Sequence, residues 1–509
     1  MSHLISIDAG TTALKVVLFD QHGQIKAQRG IEYNLITPTI DTAELEAEVY
    51  WEACQQGIRS VLRQSRIPPE DVAALSISSQ GETLIPVDRS GRPLRRAIVW
   101  LDNRSGEEAK IIEGAFGVEK IYRTTGQPEV VPTWPATKIL WMKRNEPQIF
   151  RQTHKFLLLE DYLLYKLTGQ YVTEGSVASS TLLFDINTGT WWREMVDFVG
   201  ITPEKLPQIK RTGEVVAPVI QPACHLTGLR ERTLVTTGAF DQAAGMIGAG
   251  NIQSGIVTET TGAALAICAT TDRVVLDPKR RLPCQYHPVS GLYYLMPWCP
   301  VGGMFLRWFR DTFCQVEIEE ARRKRLDAYD LLTQQAESVP PGSEGLVALP
   351  HLMGAASPEF NPNAKGVFFG ITLKHQKGHF ARAVIEAVAF MLKRNLELLE
   401  ELGIQVQEIR SLGGGSKSLL WNRIKADVTR KPIVTIGTSE AASLGVAILA
   451  GVGVGMFPSL QEAVSRMVKI SEQIEPNPEG GKQYQEAYRC YLRLYEQLEP
   501  LFCRVMGNA

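Results

Sequence analysis

Leu4-Ile5-Ser6-Ile7-Asp8-Ala9-Gly10-Thr11-Thr12-Ala13-Leu14-Lys15-Val16-Val17-Leu18-Phe19 carries the reading of the fold. Leu4 to Ile7 is a short β-type run, Asp8 to Thr12 has turn chemistry, and Val16 to Phe19 resumes the strand. Glycine at position 10 lets a backbone approach a ligand closely. Successive N–H groups and threonine hydroxyls in such a turn suit a phosphate. Asp8, ending a buried strand, suits a Mg²⁺ ion held with phosphate oxygens, and Lys15 adds positive charge nearby. An ordinary hairpin turn fits the same five residues.

Working outward, β-type runs recur at Leu75–Ile77, Leu84–Val87 and Ile98–Trp100, with a helical pattern over Glu44–Arg63 between the first strands and these. Strands alternating with helices imply an α/β layered fold. The pattern restarts near residue 233. Leu234-Val235-Thr236 reads as strand and Gly238 to Gln242 as loop, followed by a small-residue helix over Ala243–Gly250. Gly255 to Ile267 then repeats the strand, Thr/Gly turn, strand scheme, with Thr260-Thr261-Gly262 at the turn. Two such elements suggest two related halves. His379 to Gly403 shows the clearest helical periodicity, and Ile409–Leu412 reads as strand. Gly413-Gly414-Gly415-Ser416-Lys417-Ser418 is loop, Leu420, Ile424 and Val428 mark another helix, and one more amphipathic helix runs from Gln483.

The chain has 509 residues, 54 Lys+Arg against 55 Asp+Glu, and a net charge of −1. A single core rarely grows past roughly 250–300 residues, so at least two are expected. Balanced charge gives no footprint for nucleic acid or an anionic membrane. The basic run Arg322 to Arg325 follows Glu317, Glu319 and Glu320, as on a solvated mixed-charge helix. The first residues lack the basic and apolar regions of a signal peptide, and Leu444–Phe457 falls short of the roughly 20 apolar residues of a membrane span. Eight cysteines without a Cys-x-x-Cys pair read as thiols of a reducing, cytoplasmic compartment. His375 and His379 have helical metal-pair spacing but no His-Glu-x-x-His context, so surface or capping roles are expected.

Three further groups bear on chemistry. The Gly413–Ser418 loop lacks the Gly-x-x-x-x-Gly-Lys-Ser/Thr spacing, yet its glycines allow a flat base or a phosphate against the backbone. Gly451-x-Gly453-x-Gly455 follows a helix rather than a strand, so helix–helix packing is expected. Asp241-Gln242 follows a strand and starts a helix. Asp241 is there either an N-cap, worth roughly 1 kcal/mol, or a base aimed into a cleft. Gln80, Glu82, Trp100, Asp102 and Arg104 follow two strands and offer the donors, acceptors and flat ring that suit a neutral polyhydroxyl ligand; a surface turn fits them equally.

Together these elements resemble the FGGY carbohydrate kinases, relatives of actin and the heat-shock chaperones, from about Leu4 to about Gly455. The strongest match is Gly366-Val367-Phe368-Phe369-Gly370-Ile371 with His379-Phe380-x-x-Ala383-Val384-Ile385-Glu386 seven residues later. A shorter pattern around Lys138 to Asn145 also fits, with one departure at Thr133. The resemblance implies two actin-like (ribonuclease H-like) α/β domains with an ATP/sugar cleft between them. The expected division is 1–235, then 236–470, with a terminal helix over 471–509.

The resemblance also implies site residues. Asp8, Gly10, Thr11, Thr12 and Lys15 would match a first phosphate loop, with Asp8 near Mg²⁺. Thr260, Thr261 and Gly262 would match the second. Gly413, Gly414, Gly415, Ser416 and Asn422 fall in the adenosine stretch. Asp241 would be the catalytic base, and Gln80, Gly81, Glu82, Trp100 and Gln242 would meet the sugar beside it. The implied reaction is attack of a substrate hydroxyl on the γ-phosphorus of ATP, with domain closure excluding water. Glycerol kinases carry Arg-Glu and xylulose kinases Met-His where this chain has Gly81-Glu82, while Trp100-Leu101-Asp102-Asn103-Arg104 looks nearer to xylulose kinases. A four- or five-carbon ketose, xylulose first, is the expected substrate, with a glycerol- or erythritol-type polyol as the alternative. An actin-fold sugar sensor or nucleotide switch is the non-enzyme alternative, against which Asp241 and the sugar-side residues speak. A homodimer is compatible with this reading, and neither nucleic acid nor membrane is expected as partner.

Overall fold

Strand β1 (His3–Ala9) is buried along almost its whole length, Ser6 and His3 included. In this computed structural model, which describes residues 2–506, it pairs antiparallel with β2 (Ala13–Asp20). β2 pairs antiparallel with β3 (Ile25–Glu32). On its other side β1 runs parallel to β4 (Val72–Ser79). The sheet continues through β5 (Val215–Pro218) and β6 (Leu234–Thr236) in the order β5-β6-β4-β1-β2-β3, while β7 (Ala239–Phe240) also pairs with β4.

A second sheet repeats this scheme. β8 (Ile256–Thr261) pairs antiparallel with β9 (Leu265–Thr271) and parallel with β10 (Glu408–Leu412). β10 runs parallel to β11 (Ile433–Ile436), and β11 pairs antiparallel with β12 (Ile470–Ile474). The succession antiparallel, parallel, parallel, antiparallel matches β2-β1-β4-β6-β5 of the first sheet. The two related halves suggested by the Thr/Gly turns are thus present as topology.

The chain divides into two compact units. The first runs to Ile252 and takes in Asp272–Tyr294 and Glu440–Lys469; the second holds Gln253–Thr271, Leu295–Ser439 and the chain from Ile470 onward. The division expected at 235/236 falls inside the first unit. β7 pairs with β4, and cutting there would leave a strand ladder unpaired. The terminal helix, expected to pack on the body, belongs to the second unit. Helix Pro478–Met506 packs within the second unit, where Arg382 Nη2 donates to the Tyr484 hydroxyl at 2.5 Å.

Helix Asp241–Gly248 follows β7 and lies on helix Ala441–Gly453 with the backbones touching. A Cβ on Gly248 would sit 1.8 Å from Ala441 O, and one on Gly445 1.9 Å from Ala244 O. The close helix pair therefore uses Gly248 and Gly445. Gly453, expected to serve helix packing, instead meets the loop at Gly213, whose carbonyl would lie 2.1 Å from its Cβ.

Among the described residues no helix is long and apolar enough to cross a membrane. Seven cysteines are free thiols; the side chain of Cys503 lies outside the described residues. The rings of His375 and His379 accept backbone N–H bonds from Thr372 and Gln376, the capping role expected of them.

Candidate active site

Three parallel strands of the first unit end in one row. Ala9 of β1 is the register partner of Ser79 of β4, and Ser79 is the partner of Phe240 of β7. Just beyond these ends come Gly10–Thr12, Gln80–Glu82 and Asp241–Gln242. Crevices at the carboxyl ends of parallel strands are where α/β folds bind ligands.

The sugar-side residues form a hydrogen-bonded chain. Trp100 Nε1 donates to Thr11 Oγ1 at 2.9 Å, Thr11 Oγ1 donates to Gln80 Oε1 at 2.9 Å, and Gln80 Nε2 donates to the Tyr50 hydroxyl at 3.3 Å. The Thr11 hydroxyl, expected at a phosphate, is engaged between Trp100 and Gln80. Gly10 keeps its turn through an N–H donated to Ala13 O at 3.0 Å, and Thr12 is exposed. Asp102 and Arg104 turn away from this group. The Asp102 carboxylate is fully buried, accepts from Ala43 N at 2.7 Å and pairs with Arg104 at 2.7 Å, so a bond network within the fold uses up both.

Gly81 is required by close packing: a Cβ would meet Ser180 Oγ at 2.7 Å and Phe240 Cε2 at 3.0 Å. Glu82 adopts φ of 60°, a left-handed conformation that costs a residue with a side chain roughly 1 kcal/mol or more. Lys138, fully buried, donates its ammonium to Glu82 O at 2.8 Å and Val99 O at 3.1 Å. Burial depresses Lys138 and raises Glu82; each partly offsets the other's shift, and Asp241 adds to the rise at Glu82.

Asp241 is the first residue of its helix, and its Oδ1 accepts from the adjacent Gln242 N at 2.6 Å. The capping position belongs to Phe240, which has no capping side chain. Burial, and then the charge of Asp8, push the Asp241 carboxyl up to about 7. Asp8 itself is raised to about 6 by burial, against the neighbouring Ser78 hydroxyl and the charge of Lys15. Lys15, across the hairpin from Asp8, places its ammonium 2.7 Å from Glu440.

The second unit gathers its own predicted residues. A Cβ on Gly413 would lie 2.8 Å from Thr261 O and one on Gly415 2.6 Å from Thr261 Cβ, so the glycine loop sits directly on the Thr260-Thr261-Gly262 turn. Gly413 and Gly414 are exposed, and nothing lies within 4 Å of a Cβ placed on Gly414. Asn422 Nδ2 donates to Ser416 O at 2.7 Å, fixing the loop's end. Beneath it Glu259 accepts from Thr261 Oγ1 at 2.7 Å and pairs with Lys425 at 2.6 Å, both ions fully buried.

Sequence reasoning missed Lys138, Ser180, Glu440, Glu259 and Lys425. A usable signal existed for Glu259: a lone carboxylate inside a β-type run that reads as buried needs a partner. Lys425 gave none, since nothing local marks which cation reaches Glu259, and Lys138 stood in a family pattern without an assigned role.

Two family descriptions match this chain: the N-terminal domain of the FGGY family of carbohydrate kinases over residues 3–248, and its C-terminal domain over residues 261–454. The chain belongs to the FGGY family of carbohydrate kinases. Membership makes it an ATP-dependent phosphotransferase acting on a carbohydrate. It is 32% identical to a gluconokinase of Bacillus licheniformis, over 99% of this chain and 98% of that one. To a xylulose kinase of Bacillus subtilis it is 28% identical over 98% of each. The crystal structure of a ligand-bound xylulose kinase from Lactobacillus acidophilus superposes with a TM-score of 0.90 at 28% identity, covering 99% of this chain and all of that one. In this FGGY member the fold is accordingly the two-domain α/β architecture of its relatives.

Proposed function

We propose that the chain phosphorylates a hydroxyl of a neutral four- or five-carbon ketose, xylulose first, with Asp241 as general base. The observation that carries this reading is the Asp241 carboxyl at the end of the strand row, raised to about 7 beside the Gln80–Glu82 turn. A base works best when its pKa lies near the working pH, and such help is typically worth roughly 10²–10⁴ in rate. Asp241 takes the proton of the attacking hydroxyl; Glu82 and Gln80 accept or donate to the remaining hydroxyls; Trp100 gives them a flat wall.

The charge of the group supports a neutral acceptor. Asp8, Glu82 and Asp241 are three acidic groups, against which stand Lys138, which offsets Glu82, and Lys15, already paired with Glu440. An acceptor bearing its own carboxylate would meet like charge here. Gluconate is the second reading, favoured by the 32% identity to a gluconokinase.

No group of three or more ligating side chains among the described residues could hold a metal on its own. Asp8, a buried carboxyl at the start of the phosphate turn, fits a Mg²⁺ ion that arrives with the nucleotide, since magnesium takes one or two carboxylates plus phosphate oxygens. Bound there, the ion would neutralise phosphate charge. Gly10–Thr12 and Thr260–Gly262 would offer backbone donors to the phosphates, and Gly413–Ser416 with Asn422 would take the adenosine.

Mg-ATP consumption against D- and L-xylulose, D- and L-ribulose, erythritol, glycerol and gluconate tests the assignment. The strongest stimulation is expected with a pentulose, giving its phosphate ester. Strongest turnover with gluconate would replace the ketose reading, and with glycerol or erythritol would move it to the polyols.

A further inference from the structure

β7 is two residues long and pairs with β4 along one edge. Its other edge presents the N–H groups of Gly238 and Phe240, which alternate with the ladder and need acceptors. Gly238 N donates to Glu160 Oε1 at 2.7 Å. Phe240 N donates to Ser176 Oγ at 3.0 Å, and that hydroxyl donates to Glu174 Oε1 at 2.5 Å. Glu174 is itself fixed by Ser176 N at 2.8 Å, Val177 N at 2.7 Å and the Thr212 hydroxyl. Glu160, Glu174 and Ser176 are fully buried.

We propose that Glu160 and Glu174, the latter through Ser176, are positioning residues for phosphoryl transfer: they take the place of a missing strand beside β7 and so set where Asp241 stands. The inference rests on the reading of Asp241 as base. Gly238 has no side chain and lies on β4, its Cβ position 1.6 Å from Ile77 O, so only the backbone on the free edge is available to hold this segment. Two acids are a costly way to do so. Burial and the neighbouring Glu174 and Asp161 raise Glu160 well above the ordinary carboxylate range, and one of its oxygens has no partner. A hydroxyl or amide would accept the same bond with less desolvation. Rigid placement explains the expense, because a shift of about 1 Å in a catalytic group costs about 10²-fold in rate.

The test uses the full-length protein with the best sugar of the panel. Glu160→Ala and Ser176→Ala should each lower kcat by about ten- to hundredfold, with the KM for sugar and the Kd for ATP within about twofold of wild type. Glu160→Gln should restore kcat to within about threefold, because its amide oxygen still accepts from Gly238 N. Wild-type kcat in either alanine variant, or KM rising in step with any loss, overturns the proposal; so does a Gln variant as poor as the Ala variant. Asp241→Asn runs alongside. If it keeps turnover, the base reading fails; if it is dead while Ser176→Ala is normal, only the positioning role fails. Should Glu160→Ala not fold, Ser176→Ala, which deletes one buried hydroxyl, decides.

Discussion

Asp241 follows, by two residues, the strand position that shares a row of the first sheet with Asp8. Asp8 is the register partner of Ser78, Ser78 is the partner of Ala239, and Asp241 follows two residues on, where the charge of Asp8 raises its carboxyl. Like charges held near each other in a half-buried site cannot both ionise at their ordinary pKa.

A pH dependence follows. The Asp241 carboxyl, raised to about 7 mainly by burial, accepts a proton only when ionised. The kcat/KM for sugar, which reports the free enzyme, should fall tenfold per unit below about pH 7. A steady-state profile at saturating ATP checks this; a flat profile down to pH 5 would contradict it.

Stability should move oppositely. An acid raised on folding binds more protons in the native than in the unfolded state, so stability declines as pH rises from about 4 to about 7. Asp241→Asn removes that loss. Because the side chain is half-buried rather than sealed, we expect about 1–2 kcal/mol of added stability near pH 8, a rise of a few degrees in Tm that shrinks toward pH 4. Thermal melts across that range report it.

Lys425→Met should be strongly destabilising. It leaves the fully buried Glu259 carboxylate unpaired, which typically costs about 3–5 kcal/mol. The Thr261 turn and the glycine loop resting on it lose their support, so ATP affinity should fall as well. Adding Glu259→Leu should recover part of the melting temperature, since the orphaned charge is then gone.

Gly81→Ala should act on the sugar alone. Its methyl group would press on Ser180 Oγ and the Phe240 ring, displacing the turn that carries Glu82. We expect the sugar KM to rise about tenfold, the loss of roughly 1.4 kcal/mol, while the Kd for ATP, measured by calorimetry, stays unchanged.

Much of the fold was legible because strand ends carry their own punctuation. Asp8-x-Gly10-Thr11-Thr12 and Thr260-Thr261-Gly262 mark the β-turn-β units, although Asp8 and Thr260-Thr261 belong to the strands and the turns start at Gly10 and Gly262. The unit boundary was not legible: β7 belongs to the first sheet through a parallel pairing with β4, and nothing local encodes so distant a partner. Long-range bonding likewise decided the fate of Asp102 and Arg104, which sequence spacing groups with Trp100 but which bind each other and Ala43 instead. The stretch most diagnostic of the family packs within the second unit. Val367–Phe369 forms a hairpin with Val347–Leu349, Phe368 packs on Phe305 and Phe380, and Glu386 pairs with Arg382 at 2.8 Å inside the second unit.

The central claim is that Asp241 accepts the proton of the attacking hydroxyl. Single-turnover transfer from Mg-ATP to the best sugar, in wild type and Asp241→Asn, tests it most directly. The account predicts a loss of about 10²–10⁴ in the transfer rate with the Kd for ATP unchanged. Transfer within a factor of ten of wild type would contradict it.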